Sequence, residues 1–574
     1  MALGADGVLR VFNEAGILEA ADVHVAVRLT ELATGAPPGP GDVAALALAL
    51  AVRAVRNGSV CVDLAVVEAD SLQSDLPWPT IEEWLVALRA SALLGEPPVL
   101  RLYDDRLLYL DRYWLEEQQV CTDLLARIGA DPPVDNAALE AGLARVFHRP
   151  GSAEQRAAAA IALSQLTTVL TGGPGTGKTT TVAGLLALLA EQAELAGLPR
   201  PRIALAAPTG KASARLQEAV RVEIENLPPA DRARLTGVQA VTLHRLLGPR
   251  PDTSARFRHH RGNRLPHDVI VVDETSMVSL TMMARLLEAV RPETRLILVG
   301  DPDQLSSVEA GAVLADLVDG LGGRAKIAEL RTSHRFGASI GLLADAIRGG
   351  EADLALELLA AGGTHVEFID GVDRAARLRD IVIPHALRVR AAAAGGDVAG
   401  AVAALDEHRL LCAHREGPFG VRHWNRQVEH WLTEETGEPI WADWYVGRPI
   451  LVTANDYGLR LYNGDTGVTV LEEGALRAAV AGAGGLLDFA TSRLADVETM
   501  HAMTIHKSQG SQADEVTVLL PPEDSRLLTR ELFYTAVTRA KTKVRIVGTE
   551  AEVRAALARR VVRATGLRQR LLEH

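Results

Sequence analysis

Thr171-Gly172-Gly173-Pro174-Gly175-Thr176-Gly177-Lys178-Thr179-Thr180 is the stretch on which the reading of the whole chain turns. It fits G-x-x-x-x-G-K-[ST], a loop whose glycines let the backbone wrap phosphates with inward-pointing N–H groups. The flanks suit it. Leu166-Thr-Thr-Val-Leu170 reads as a short buried strand, and Val182-Ala-Gly-Leu-Leu-Ala-Leu-Leu-Ala190 reads as a helix whose N-terminal dipole favours an anion. The reading makes this an ATP site, with Lys178 reaching the β- and γ-phosphates and the Thr179 hydroxyl ligating Mg²⁺. A plain glycine-rich turn is the alternative, and the full match in strand–loop–helix context argues against it.

Around this loop one design recurs: an apolar strand that breaks into a short polar turn. Ile270-Val-Val-Asp273-Glu274 delivers two carboxylates at a strand end, where Asp273 can hold Mg²⁺ and Glu274 can orient and deprotonate an attacking water. Leu296-Ile-Leu-Val-Gly300-Asp301-Pro302-Asp303-Gln304 brings Gln304 to a similar place as a sensor of the γ-phosphate. Arg202-Ile-Ala-Leu-Ala-Ala-Pro208-Thr209-Gly210-Lys211 ends in small hydroxyl and lysine groups suited to a phosphodiester backbone, and Thr242-Leu-His244 is a second turn of the same type. Ahead of the loop, Ser152-Ala-Glu-Gln155 opens a helix, and an amide there offers adenine a donor and an acceptor together. Leu330-Arg-Thr-Ser-His-Arg335-Phe336 presents Arg335 as a positive charge for a transition state, although an arginine in that setting is more often a surface ion-pair partner.

In series these motifs resemble those of superfamily 1 helicases, and the second half continues the match. Gly447-Arg-Pro-Ile-Leu-Val-Thr-Ala-Asn455-Asp456, Leu461-Tyr-Asn463-Gly464-Asp465-Thr-Gly467, Met503-Thr504-Ile-His506-Lys-Ser-Gln-Gly510-Ser511 and Leu532-Phe-Tyr-Thr-Ala-Val-Thr-Arg539-Ala-Lys541 follow in the family's order. Glu416-Gly-Pro-Phe-Gly-Val421, ahead of Asn425, resembles the RecD family in particular, the alpha subunit of exodeoxyribonuclease V. The resemblance implies an α/β fold of two RecA-like P-loop lobes with parallel sheets. Residues 116–345 form the lobe with the phosphate loop, and 346–574 form the lobe with a small barrel-like insertion at 468–497, behind a mainly helical N-terminal domain at 1–115.

It further implies that Arg539 reaches in from the second lobe to pair with Arg335. Closure on ATP would ratchet single-stranded DNA 5′→3′ across Pro208, Thr209, Lys211, Thr242, His244, Asn463, Asp465, Thr504 and His506. The implied role is the motor subunit of a helicase–nuclease complex that acts on duplex-end DNA with RecB- and RecC-like partners. A stand-alone helicase of the same family, or a nucleotide-binding scaffold without motor activity, is the alternative.

Composition sets the outer bounds. A chain of 574 residues exceeds one hydrophobic core and implies roughly three or four domains. Being 48% hydrophobic but only 4% aromatic, it must build aliphatic, helical cores. A net charge of −13 argues against a broadly basic surface but allows a local basic groove. Cys61, Cys121 and Cys412 lack C-x-x-C spacing, which points to reduced thiols, a cytoplasmic setting and no zinc. The longest apolar run, Val43 to Leu50 and beyond, is too short to span a membrane, and no signal-peptide pattern precedes it. The front section to Tyr113 shows helices and a hairpin about Asp104-Asp105 but no chemical motif, so it reads as a docking domain or a structural cap. No acidic cluster suggests a nuclease site. The basic segment from Arg559 to Arg570 reads as a solvated helical face or a partner contact, and the solvated face is the simpler expectation.

One position departs from the family's wording: Gln512 stands after His506-Lys-Ser-Gln-Gly-Ser, where Glu is common. A neutral amide can still bond a ribose hydroxyl but adds no negative charge near the nucleotide. The expectation is retained ATP hydrolysis with altered nucleotide affinity or selectivity. Nucleotide titrations and turnover of a Gln512→Glu variant check it, and identical values would overturn it.

Overall fold

The computed structural model describes residues 2, 5–68, 75–130, 132–250, 253–322, 327–332, 338–371, 373–456, 458–482 and 485–573. The strand ahead of the phosphate loop runs Thr167–Gly172 and lies second in a six-stranded parallel sheet, in the order Ala328–Leu330, Thr167–Gly172, Arg295–Gly300, Val269–Val272, Ile203–Ala207 and Ala240–Thr242. Thr167–Gly172 and Val269–Val272 are buried at every position, as strands covered by helices on both faces must be. Register then places the chemistry. Gly300 lies beside Thr171, and Val272 lies beside Leu298 and Ala206, so the turns carrying Gln304, the phosphate loop, Asp273-Glu274 and Pro208-Thr209 leave the same edge. Ligands of open parallel sheets bind at that edge, beyond the strands' carboxyl ends.

The second lobe holds a five-stranded parallel sheet, ordered Val366–Ile369, Ala540–Val547, Ala513–Leu519, His408–Cys412 and Ala502–Thr504. The helix Ala338–Gly349 packs Ile340, Leu343 and Ile347 into this lobe's core. The expected small β unit is present as an antiparallel sheet, ordered Gly485–Ala490, Ala475–Gly482, Thr466–Glu472, Pro449–Val452 and Val497–Thr499. It begins earlier in the chain than 468, because Pro449–Val452 joins it and not the parallel sheet. Four consecutive buried apolar residues carry no signal that separates those two outcomes.

In the N-terminal part, Leu100–Tyr103 and Leu107–Leu110 pair as the predicted hairpin. The loop between them is three residues long: Asp104 and Asp105 adopt left-handed φ of 53° and 47°, and the Arg106 N–H donates to the Tyr103 carbonyl at 3.1 Å. A third strand, Cys61–Asp63, completes the sheet and at three residues was too short to read. The helix Val43–Arg56 buries Ala44 to Ala51 without a break, which accounts for its apolar run. Among the described residues no helix is long and apolar enough to cross a membrane, the three cysteines are free and buried, and no group of His, Cys, Asp and Glu is placed to hold a metal ion.

The basic segment near residue 570 corrects the expected solvated face. After the second lobe's last strand the chain crosses back, and the helix Leu567–Glu573 packs Leu567 and Leu571 into the first lobe's core beside Val313–Leu321 and Asp111–Leu125. Arg570 Nε donates to Glu117 Oε1 at 3.0 Å, the two side chains being 8% and 0% exposed. Tyr109 Oη, Thr565 Oγ1 and the Gly566 N–H also donate to Glu117. The guanidinium lies 3.9 Å from the Trp114 ring centre and 4.3 Å from that of Tyr103. Burial raises the Glu117 carboxyl pKa, and Arg570 acts in the opposite direction. The partners lie more than four hundred residues apart, so the local sequence carries no trace of the contact.

Removing one member of such a pair leaves a buried charge without a partner. Arg570→Ala is expected to lower unfolding stability by about 3–5 kcal/mol, measured by urea denaturation of the full chain. A second expectation concerns His501, which accepts or donates a 2.9 Å bond with Tyr445 and whose pKa is held down to about 3 by burial. An unfolded histidine protonates near 6.5, so His501 contributes full stability above that pH, lost as pH falls toward 3. His501→Gln should flatten the loss of urea midpoint between pH 6.5 and 4.5 relative to the parent chain.

Candidate active site

The phosphate loop is closed on itself. Gly175 and Gly177 have φ of 81° and 87°, so the turn needs residues without a Cβ. Lys178, first residue of the helix Lys178–Leu195, folds its Nζ back to donate to the Gly172 carbonyl at 2.6 Å and the Gly173 carbonyl at 2.9 Å. Thr176 Oγ1 donates to the Gly173 carbonyl at 2.9 Å. Gln155, buried on the helix Ala153–Ser164, donates Nε2 to the Thr176 carbonyl at 3.3 Å. Pro174, Gly175, Gly177, Thr179, Thr180 and Gln155 line a cleft of about 690 Å³, shared with Asp273, Glu274, Gln304, Gln512 and Arg539. Residues predicted from six separate stretches of sequence therefore meet in one cavity.

Asp273 is fixed by its backbone N–H, which donates to the Ala206 carbonyl at 2.8 Å. Burial and the adjacent Glu274 push its carboxyl pKa up, while Lys178 and Arg215 pull it down. Glu274 has φ of 51°, a left-handed conformation that costs a non-glycine residue about 1–3 kcal/mol and recurs at functional turns.

From the other lobe, Arg539 is buried, and among the described residues its bonds go to neutral acceptors. Its Nη2 donates to Gln304 Oε1 at 3.0 Å, its Nε to the Thr535 carbonyl at 3.0 Å and its Nη1 to the Ser511 carbonyl at 3.3 Å. Gln304 in turn donates Nε2 to Asp301 Oδ2 at 2.9 Å, and Tyr534 Oη donates to the same oxygen at 3.1 Å. The Leu305 N–H donates to Thr535 Oγ1 at 2.9 Å, and Gln509 Nε2 donates to the Leu305 carbonyl at 2.7 Å. A continuous hydrogen-bonded seam thus joins the turn after Gly300 to the second lobe. Asp301, Gln509 and Tyr534 were not singled out as site residues, although each lies inside a motif already quoted.

Two further placements differ from the simple reading. Gln512 Oε1 accepts from Arg215 Nη2 at 2.6 Å, so a first-lobe arginine meets the position expected at the ribose. Arg215 lies four residues beyond Lys211 on the helix Gly210–Glu225, and that spacing is the one signal that could have found it. Arg335 lies outside the described residues.

The residues expected along DNA share a local geometry. Thr242 and Thr504 each end a strand, Thr209 follows one by two residues, and all three cap a helix, accepting from the N–H groups of Ala212, Arg245 and Lys507 at 3.1, 3.2 and 3.2 Å. Pro208 precedes the first of these caps. His244 packs edge-on against Phe257, and burial lowers the pKa of both His244 and His506. The Asn463 N–H donates to Asn455 Oδ1 at 2.9 Å. Asp465 does not present its carboxylate outward as expected: it is 4% exposed, accepts from the Tyr462 N–H at 2.8 Å, and burial raises its pKa to about 6. Lys211 is likewise half-buried, with its pKa drawn down to about 8 by desolvation and by Arg409. A short polar side chain beside a glycine closes its own turn more readily than it waits for a ligand.

Comparison with known proteins gives this geometry its family. The N-terminal domain family of RecBCD enzyme subunit RecD matches residues 14–107, the AAA domain family residues 150–370, and the UvrD-like helicase C-terminal domain family residues 499–547. RecBCD enzyme subunit RecD of Mycolicibacterium smegmatis is 71% identical over 98% of this chain and 99% of its own. The chain belongs to the RecD family. Another member, RecBCD enzyme subunit RecD of Mycobacterium tuberculosis, is 67% identical over 99% of this chain and 98% of its own. The ATP-dependent RecD2 DNA helicase of Deinococcus radiodurans is 32% identical over 80% of this chain but only 58% of its own. Among solved structures, Bacteroides Pif1 bound to single-stranded DNA matches 69% of this chain and 91% of its own at 18% identity, with a TM-score of 0.39.

The loop geometry carries its own test. A Cβ at Gly177 would lie 2.9 Å from Gln155 Nε2, in a left-handed conformation besides. Gly177→Ala is expected to abolish binding of a fluorescent ATP analogue while circular dichroism stays unchanged.

Proposed function

We propose that this chain is the ATP-driven DNA motor of a helicase–nuclease complex, moving single-stranded DNA 5′→3′ from a duplex end, with RecB- and RecC-like partners supplying nuclease and scaffold. The observation that carries the reading is the seam from Asp301 through Gln304 to Arg539. It connects a phosphate-binding cleft on one lobe to the backbone of a candidate DNA-contact segment on the other. Residues 1–115 serve as the docking domain and the two motor lobes follow it; the expected boundary at 345 moves ahead of Ala338, because the helix Ala338–Gly349 packs into the second lobe's core, and the helix Leu567–Glu573 crosses back to seat on the first lobe.

In this mechanism Lys178 leaves the Gly172 and Gly173 carbonyls for the β- and γ-phosphates. The backbone N–H groups of residues 175–179 hold the remaining charge. Glu274 accepts the proton of the attacking water, and Gln155 reads the adenine edge. Arg539, with Arg335, stabilises charge on the transferring phosphoryl group. Thr179 and Asp273 line the same cleft and offer the hydroxyl and carboxylate oxygens that Mg²⁺ takes, so these residues fit the ion, which neutralises charge on the phosphates when bound. Gln304 reports loss of the γ-phosphate through Arg539, and the turns at Pro208-Thr209, Thr242, His244, Asn463, Thr504 and His506 hold the strand.

The stand-alone helicase reading is disfavoured by identity, 71% to the M. smegmatis RecD and 32% to the RecD2 helicase. Lys178→Gln is expected to abolish DNA-stimulated ATP hydrolysis, and unimpaired translocation by that variant would overturn the mechanism. Arg539→Ala should lower single-turnover hydrolysis by at least about 10³-fold while ATP still binds.

A further inference from the structure

Arg215 projects from the first lobe into the nucleotide cleft and bonds the second. It lines the same cavity as Lys178, Asp273 and Glu274, yet donates Nη2 to Gln512 Oε1 at 2.6 Å and Nη1 to the Gly510 carbonyl at 3.5 Å. The Ser511 carbonyl between those acceptors takes Nη1 of Arg539. Two arginines, one from each lobe, therefore converge on the three residues Gly510-Ser511-Gln512. This segment directly follows the short helix Ile505–Ser508, which carries His506 and is capped by Thr504. Among the described residues Arg215 forms no ion pair; both its acceptors are neutral.

We infer that Arg215 is a nucleotide-state latch: it holds the Gly510–Gln512 segment when the cleft is empty, and transfers to the γ-phosphate when ATP enters. The inference rests on the reading of the cleft as an ATP site. A guanidinium binds a phosphate in a charge-assisted, forked geometry that an amide oxygen cannot match, so the triphosphate displaces Gln512 as acceptor. Release of Gln512 frees the segment behind the DNA-facing helix. Loss of the γ-phosphate after hydrolysis returns the arginine to the amide. The neutral residue at 512 is what makes the exchange reversible. A glutamate there would compete with the phosphate as a second anion, in a cleft where solvent screens less than in bulk water. Asp273 feels the charge of Arg215 as well, which places the guanidinium within electrostatic reach of the reacting centre.

The experiment is steady-state, DNA-stimulated ATP hydrolysis by the full-length chain, with ATP and ADP affinities measured by equilibrium titration, for Arg215→Gln, Arg215→Lys, Gln512→Glu and the double variant Arg215→Gln/Gln512→Glu. Arg215→Gln is expected to weaken ATP about tenfold or more, the worth of a charged hydrogen bond, and to weaken ADP much less. Gln512→Glu is expected to raise KM for ATP by a factor that shrinks with added salt, because it strengthens a competing ion pair. The double variant should show a smaller effect of the charge at 512 than Gln512→Glu shows alone, since the ion pair with Arg215 is then absent. Equal losses of ATP and ADP affinity in Arg215→Gln, or effects of the two substitutions that simply add, overturn the latch. If Arg215→Gln does not fold, Arg215→Lys and Gln512→Glu decide. A lysine keeps the charge but loses the fork, so ATP must weaken while the salt-dependent effect of Gln512→Glu persists on that background, and its absence overturns the latch. Lys178→Gln serves as the control on the underlying reading. If that variant hydrolyses ATP, the active-site reading itself has failed; if it is inactive while Arg215→Gln behaves as the parent, only the latch has.

Discussion

A buried guanidinium with no carboxylate bonded to it is the constraint on which the rest of this motor depends. Arg539 is enclosed by the Gln304 amide, the Thr538 hydroxyl and the carbonyls of Thr535 and Ser511, all of them neutral. Such an arrangement satisfies the donors of the fork without neutralising the charge, and burial accordingly lowers the arginine's pKa. The charge remains available to an anion that arrives in the cleft. Every other element can be understood as holding that cation at a fixed reach from the phosphate loop: the parallel register that aligns Gly300 with Thr171, the Asp301–Tyr534 bond across the lobes, and the Leu305–Thr535 and Gln509–Leu305 bonds beside it.

The first lobe was largely legible because its signals are local. Strand, glycine loop and helix follow one another within a few residues around Lys178, and the same rhythm recurs at Asp273 and Gln304, so pattern and register agree. The hairpin at Asp104-Asp105 was legible for a similar reason, since two aspartates tolerate the left-handed turn. What escaped notice depends on contacts remote in sequence. Nothing near Arg215 announces Gln512, 297 residues away, and nothing near Arg570 announces Glu117. Pro449–Val452 was misplaced because a short buried strand looks the same in either kind of sheet. The family resemblance puts Asp465 on the DNA surface and a strand's carboxyl end puts Lys211 there; in the fold Asp465 is buried and closes its own turn, and Lys211 is half-buried, neither of which local sequence announces.

The three threonine caps show how one local solution serves several places. Thr209, Thr242 and Thr504 stand at or just past strand ends in both lobes, each accepting from the N–H three residues on and leaving the preceding amides of its turn unpaired by helix geometry. Phosphates are the kind of ligand that such amides suit. Recognition of this kind reads the backbone and not the bases, as suits a motor that must travel over any sequence.

The crossing of the chain back to the first lobe changes what kind of machine the two lobes make. The polypeptide leaves the first lobe once, between Leu330 and Ala338, and returns by way of Arg559 to Thr565, where the Val60 N–H bonds the Ala564 carbonyl and Arg563 bonds the Glu309 and Gly311 carbonyls. Two bodies joined at one point can swivel in any direction; joined at two, they can turn only about the line between the joints. Because the second joint is fastened by an ion pair sealed from water, added salt does little to loosen it. A second attachment of this kind narrows the ways in which the two lobes can turn against each other, as a second hinge does for a door.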